Sequence, residues 1–150
     1  MNVARLGCGL ILVLVTGADV SRAEEASPTR TVTISGDVRP KKNAPVFLRL
    51  LALDSSGKEY VARERVIELT AADVARGSLR YEFVGLQPGS YALKAFQDTN
   101  GNKKLDIGVF GPKEPWATYR HARPKLRPPR FEEMAFDAQA DVADAQLVMR

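Results

Sequence analysis

Apolar and polar positions alternate every second residue over much of the chain, and a period of two marks half-buried β-strands. From Thr31 onward, Val32, Ile34 and Val38 fall on one side, and Thr31, Thr33, Ser35 and Asp37 on the other. Leu79, Tyr81 and Phe83 alternate in the same way with Arg80 and Glu82. Val46 to Leu53 (VFLRLLAL) is apolar on nearly both faces, the pattern of a central strand. Tyr60 to Leu69 is a less regular strand with Arg63, Glu64 and Arg65 in its middle. Tyr91 to Gln97 is another, and Met134 to Ala138 and Ala145 to Met149 add two short ones.

Turn chemistry separates these runs. Pro40 to Pro45 (PKKNAP) and Asp54-Ser55-Ser56-Gly57 oppose continuation of strand or helix. In Gln87-Pro88-Gly89-Ser90, Pro88 and Gly89 fit a type II turn with positive φ at Gly89. Thr70-Ala71-Ala72-Asp73 predicts the capped start of one or two helical turns, stopped by Gly77. About seven strands with no sustained helical period predict an all-β, antiparallel Greek-key sandwich, immunoglobulin-like or transthyretin-like, with one long irregular loop. The span from Asp98 to Glu132 has no evident strand. A loop of that length is uncommon unless it is functional or organised by an ion.

The start of the chain follows a different rule. Arg5 is followed by an uncharged run of 11 residues, Leu6 to Thr16, and then by Ser21-Arg22-Ala23, with small residues at both positions a signal peptidase reads. Residues 1–23 are therefore expected to be a secretory signal peptide, cleaved after Ala23. The run falls well short of the roughly 20 residues that cross a bilayer, so no transmembrane anchor is expected after cleavage. Residues 24–30 would form a flexible leader and 31–150 a single β-sandwich domain in a periplasmic or secreted protein.

Composition then narrows the chemistry. The 150 residues include one Cys, Cys8, and one His, His121. Cys8 lies inside the signal segment, so the expected mature chain has neither a disulfide nor a cysteine metal cluster. A single His leaves little acid–base chemistry near neutral pH. From Glu24 onward 20 basic residues face 17 acidic ones, too small an excess to imply nucleic-acid binding.

The long loop opens with Asp98-Thr99-Asn100-Gly101-Asn102-Lys103-Lys104-Leu105-Asp106, which carries side-chain oxygens at relative positions 1, 3, 5 and 9. Ca²⁺ takes six to eight oxygens, and a tight loop with oxygens at alternate residues can wrap one. Asp98 and Asp106 would be charged ligands and Asn100 and Asn102 neutral ones, with the Lys104 carbonyl completing the shell and Glu114 swinging back as an auxiliary. Affinity would lie at the weak end, about 10⁻⁴ to 10⁻³ M. The competing reading is a plain turn, because Asp and Asn bond to their own backbone without any metal. Lys103 stands where an EF-hand has glycine, and Lys103, Lys104 and Lys113 oppose cation binding.

Several stretches here resemble one family. Tyr81-Glu82-Phe83-Val84-Gly85-Leu86-Gln87-Pro88-Gly89-Ser90-Tyr91-Ala92 is similar to its Phe-x-Gly-Leu-x-Pro-Gly-x-Tyr-Ala signature. Phe96 to Asp106 is similar to its Phe-His-Asp-x-Asn-x-Asn-Gly-Lys-x-Asp segment. Gly111 to Pro115 and Pro128 to Phe136 resemble its Pro-x-Glu and Pro-Pro-x-Phe-x-x-Ala-x-Phe stretches. The family is the set of small exported bacterial proteins called domain of unknown function two-one-four-one. The resemblance implies a periplasmic or secreted β-sandwich and carries over Asp98, Asn100, Asn102, Asp106 and Glu114 as a polar cluster. The chain departs from the pattern at Gln97 for His, Lys103 for Gly and Gly108 for Asn. The Pro-Gly-x-Tyr turn also resembles that of transthyretin-like sandwiches.

Arg120 to Arg130 (RHARPKLRPPR) holds five positive charges, three prolines and no acid. Arg120, Arg123, Arg127 and Arg130 are candidates for binding an anionic envelope polymer, lipid or protein through bidentate contacts. The alternative is a solvated loop in which charge and proline protect an edge. Trp116 and Tyr119 form either a small aromatic contact for a ligand or satellite packing. Glu132 and Glu133, if on a strand, face opposite sides and make no catalytic pair. The leading expectation is a non-enzymatic exported binding or structural module with a candidate Ca²⁺ site. The alternatives are an envelope binder working through the basic segment and, last, a carboxylate-based hydrolase.

Overall fold

The computed structural model describes residues 30–120, 122, 124 and 127–150. The expected signal segment 1–23 and residues 24–29 of the leader lie outside them. The described residues form ten strands and two short helices. The first strand, β1 (Val32–Arg39), buries every second residue as its alternation requires. It pairs antiparallel with β4 (Leu79–Leu86). On its other edge it takes β10 (Leu147–Val148) in parallel, giving the order β10-β1-β4. The expected all-antiparallel arrangement is corrected by this one parallel pair, and the terminal strand is shorter than Ala145 to Met149.

A five-stranded sheet runs in the order β3-β2-β5-β8, with β9 also on β5. Its members are β2 (Val46–Leu53), β3 (Glu59–Ile67), β5 (Gly89–Gln97), β8 (Trp116–Thr118) and β9 (Ala135–Ala138). Val46, Leu48, Leu50 and Ala52 of β2 and Tyr91, Leu93 and Ala95 of β5 share one core with Ile34, Val38, Tyr81 and Phe83 of the other sheet. Burying such side chains stabilises the fold by roughly 1.5–3 kcal/mol each. The opposite face of β2 is also buried. Phe47 stacks on Phe96 at 5.0 Å, and Leu51 and Ala92 pack under Phe131 and Met134 of helix α2 (Phe131–Met134). The two-sided hydrophobicity of VFLRLLAL follows, because the long connection after β5 folds back over the sheet. β3 has no fully buried residue, and its charged middle suits the edge it occupies.

Helix α1 (Ala71–Arg76) begins at a reciprocal Thr70–Asp73 capping box and ends at Gly77 with φ +74°, as the sequence predicts. The expectation for Gly89 is corrected, because the positive φ belongs to Gly85, at +66°. The register of β1 on β4 steps from Val32↔Leu86 to Ile34↔Phe83, a bulge of one extra residue in β4. Gly85 supplies the left-handed residue such a bulge needs. In a regular strand Phe83 and Leu86 would face opposite sides; the bulge turns both inward, and both are buried.

The span Asp98 to Glu132 is less irregular than expected. It contains a small hairpin, β6 (Ile107–Gly108) with β7 (Gly111–Pro112), as well as β8 and the start of α2. Local alternation could not reveal elements this short. Glu132 and Glu133 sit on the α2 turn and not on a strand.

Candidate functional site

The Asp98 loop leaves the end of β5 and closes on itself. Asp98 is 4% exposed, and its carboxylate accepts N–H bonds from Gly101 (2.7 Å), Asn102 (3.2 Å) and Lys103 (2.7 Å). Desolvation acts to raise its pKa, but the amide donors of Lys103, Gly101, Asn102 and Asn100 outweigh it and hold the group below its ordinary value. The Asn100 Oδ1 accepts from the Asn102 N–H at 3.1 Å, and the Asn102 Oδ1 from the Lys104 N–H at 2.8 Å. The amide groups of Asn100 and Asn102 both donate to Asp106, at 2.7 Å and 3.0 Å. Lys103 adopts φ +61°, a left-handed conformation that glycine takes without steric cost.

Glu114 returns to the base of this loop. Only 4% exposed, it accepts from the Thr99 N–H at 2.7 Å, the Thr99 hydroxyl at 3.1 Å and the Asp106 N–H at 3.3 Å. With the Lys113 N–H donating to the Asp106 carbonyl at 2.8 Å, these bonds fasten both ends of the β6–β7 hairpin. The structure therefore gathers Asp98, Asn100, Asn102, Asp106 and Glu114 into one network. Lys104 joins it through its N–H. These groups bond to one another more than they converge on a point for a cation. Among the described residues no three acidic, His or Cys side chains are grouped to hold a metal.

Gln97 has a different task from the one its motif suggests. Fully buried, it accepts from the Lys41 and Lys42 N–H groups at 2.7 and 3.0 Å and donates to the Lys42 and Ala44 carbonyls at 2.7 and 3.2 Å. It closes the PKKNAP turn between β1 and β2, facing away from the polar loop.

The basic segment is partly committed elsewhere. Arg127 donates twice to Glu133, at 2.7 Å each, and the Arg130 N–H donates to the same carboxylate at 2.7 Å. The Arg127 guanidinium, then the Arg130 amide, hold the Glu133 carboxyl down at about 2. Arg120 is exposed, and Arg123 and His121 lie outside the described residues. Trp116 and Tyr119 do not form a pair. Tyr119 points inward, edge-on to Phe136 at 5.0 Å, while Trp116 faces the opposite side of the sheet.

On that outer side lies a feature the sequence reading missed: an open cleft of about 660 Å³. Its floor is Phe96, Trp116 and Thr118; the β6–β7 hairpin walls one side, and Pro124, Arg127, Pro128 and Pro129 the other. Most of the lining is hydrocarbon or aromatic. Cations stand at the rim: Arg49, ion-paired to Glu64 and 5.2 Å from the Phe96 ring centre, Lys94 at 3.6 Å from Glu59, and Lys104. The signal available beforehand was Gly108-Val109-Phe110-Gly111, two large apolar residues held between glycines inside a polar loop. Among the described residues no helix is long and apolar enough to cross a membrane.

A family model described as an uncharacterized protein conserved in bacteria (DUF2141) covers residues 28–146. No curated protein and no solved structure matches the chain.

Proposed function

Since the chain belongs to the bacterial family DUF2141, we propose that it is an exported, non-enzymatic β-sandwich module that binds an anionic amphiphile of the envelope in the cleft over its five-stranded sheet. The cleft carries this reading. Its volume of about 660 Å³ lies within the range of ligand pockets, and apolar walls under a cationic rim suit a ligand with a hydrocarbon or aromatic body and an anionic end. Arg49 and Lys94 of the rim are held in ion pairs, and with proline and aromatic walls this favours binding over proton transfer. The single core shared by the two sheets supports the Greek-key sandwich. So does Tyr91, whose hydroxyl donates to the Gln87 carbonyl four residues upstream at 2.7 Å, the corner bond found in such sandwiches. Export rests on residues 1–23, and sequencing of the mature N-terminus should begin at Glu24.

Titration with two naphthalene probes, one bearing a sulfonate and one uncharged, tests the cleft. Both should bind saturably and one-to-one, and Trp116→Ala should weaken both. Lys104→Glu should weaken only the sulfonate, by roughly fivefold, as expected for one partly exposed charge contact of about 1 kcal/mol. Absence of saturable binding by either probe would remove the cleft as a ligand site.

Ca²⁺ in the Asp98–Asp106 loop is a second reading. What favours it is Asp106, whose side chain is held among the described residues by the two Asn amides; turning those amides would exchange their N–H groups for oxygens. Melting in 10 mM Ca²⁺ against EDTA should then raise the midpoint by a few degrees, given a Kd of about 1 mM and about 1.4 kcal/mol of linkage. An unchanged midpoint would leave the loop as a hydrogen-bonded clasp that needs no ion.

A further inference from the structure

The polar clasp positions something. Between β6 and β7 the chain reverses at Val109 and Phe110, which are 95% and 103% exposed, and Ile107 beside them is 56% exposed. Solvent exposure of this extent at a large aromatic and a β-branched residue, side by side at a tip, is costly unless they have a partner. The hairpin is fastened at its base by the Lys113–Asp106 backbone bond and by Glu114, which holds the exposed tip in place along the edge of the cleft. Lys103, Lys104 and Lys113 flank it, and the one acid between them, Asp106, is engaged by Asn100 and Asn102.

We infer that the β6–β7 tip is a membrane-docking element that inserts Val109 and Phe110 into the interfacial zone of an anionic phospholipid bilayer while the three lysines meet its headgroups. Charge complementarity selects the partner, because a cationic collar around an apolar point matches a surface with hydrocarbon beneath phosphate. Shape excludes a typical protein partner. Two projecting side chains form a convex point, far short of the roughly 800 Å² per side that stable protein interfaces bury. The tip shares Lys104, Val109 and Phe110 with the wall of the cleft, whereas Trp116 belongs to the cleft floor and not to the hairpin. The inference also gives the Asp98–Glu114 network a purpose without an ion, as the brace that aims the tip.

Co-sedimentation of the mature chain with vesicles tests it. Binding is expected to phosphatidylcholine vesicles containing phosphatidylglycerol, to fall at least about tenfold on phosphatidylcholine alone, and to weaken in 0.5 M salt. Val109→Asp with Phe110→Asp should lower binding at least about tenfold with an unchanged melting midpoint, both side chains being outside the core. Lys104→Glu with Lys113→Glu should abolish the preference for anionic vesicles. Phe110→Trp in a Trp116→Phe background should shift its emission to the blue on binding. Trp116→Ala should bind vesicles like the wild type even though it weakens the naphthalene probes, so failure of the cleft and failure of the tip are read separately. No binding to anionic vesicles, or equal binding by the double aspartate variant, overturns the inference.

Discussion

Gly85 sits at φ +66°, with nothing within 4 Å of where a Cβ would stand. Its requirement is purely conformational: a left-handed residue in the bulge that brings Phe83 and Leu86 to the same side. Gly85→Ala should therefore cost about 1–2 kcal/mol, measured by denaturant unfolding, while Gly85→Asn should recover part of it, since Asn tolerates that region. Equal losses for Ala and Asn would mean that packing, not φ, sets the preference. The Phe-x-Gly-Leu-x-Pro-Gly-x-Tyr stretch was legible as a turn, yet the positive φ falls at Gly85 and not at Gly89. The type II template rewards Gly after Pro, whereas the bulge depends on how β4 registers against β1, nearly fifty residues earlier in the chain.

At the scale of elements, the short α2 turn is held by charge. Arg127 and the Arg130 amide tie Glu133 to the end of the basic segment and fix the wall of the cleft. The folded pKa of Glu133 is about 2, below its ordinary 4.5, so its contribution is complete above pH 4.5 and is lost as pH falls toward 2. Glu133→Gln should lower the melting midpoint by a constant amount from pH 7 down to about 4.5, and the gap should close as pH approaches 2. A gap that persisted at pH 2 would assign the effect to packing of the α2 turn. Arg127 was expected to be a ligand-binding cation. It serves this element first, because a bidentate partner lies six residues away on a helical turn that the sequence pattern did not reveal.

For the whole molecule, the decisive contact is the closing one. The segment after β9 returns along β1, with the Ser35 N–H bonded to the Val142 carbonyl at 2.8 Å and the Ala145 N–H to the Ser35 carbonyl at 3.0 Å. Tyr81 donates to the Ala145 carbonyl from within the core. A Cβ on Gly36 would stand 2.2 Å from that same carbonyl oxygen, so only glycine lets the terminal segment approach. Gly36→Ala should cost about 3 kcal/mol and speed hydrogen exchange across residues 141–149, an overpacking penalty against backbone that cannot rotate away. Unchanged exchange there would show that the segment can shift to make room. Taken alone, the sequence determined the longer strands, their inward faces, the capped helix and the Asp-x-Asn-x-Asn turn, since each depends on the pleat or helical period over a few neighbouring residues. Tertiary structure alone decided that Gln97 clamps the β1–β2 turn, that Glu114 braces the hairpin, that the long connection roofs a cleft, and that the C-terminal strand runs parallel to β1. Those outcomes join residues far apart in the chain, and only the packing of the two sheets sets which of them come within reach.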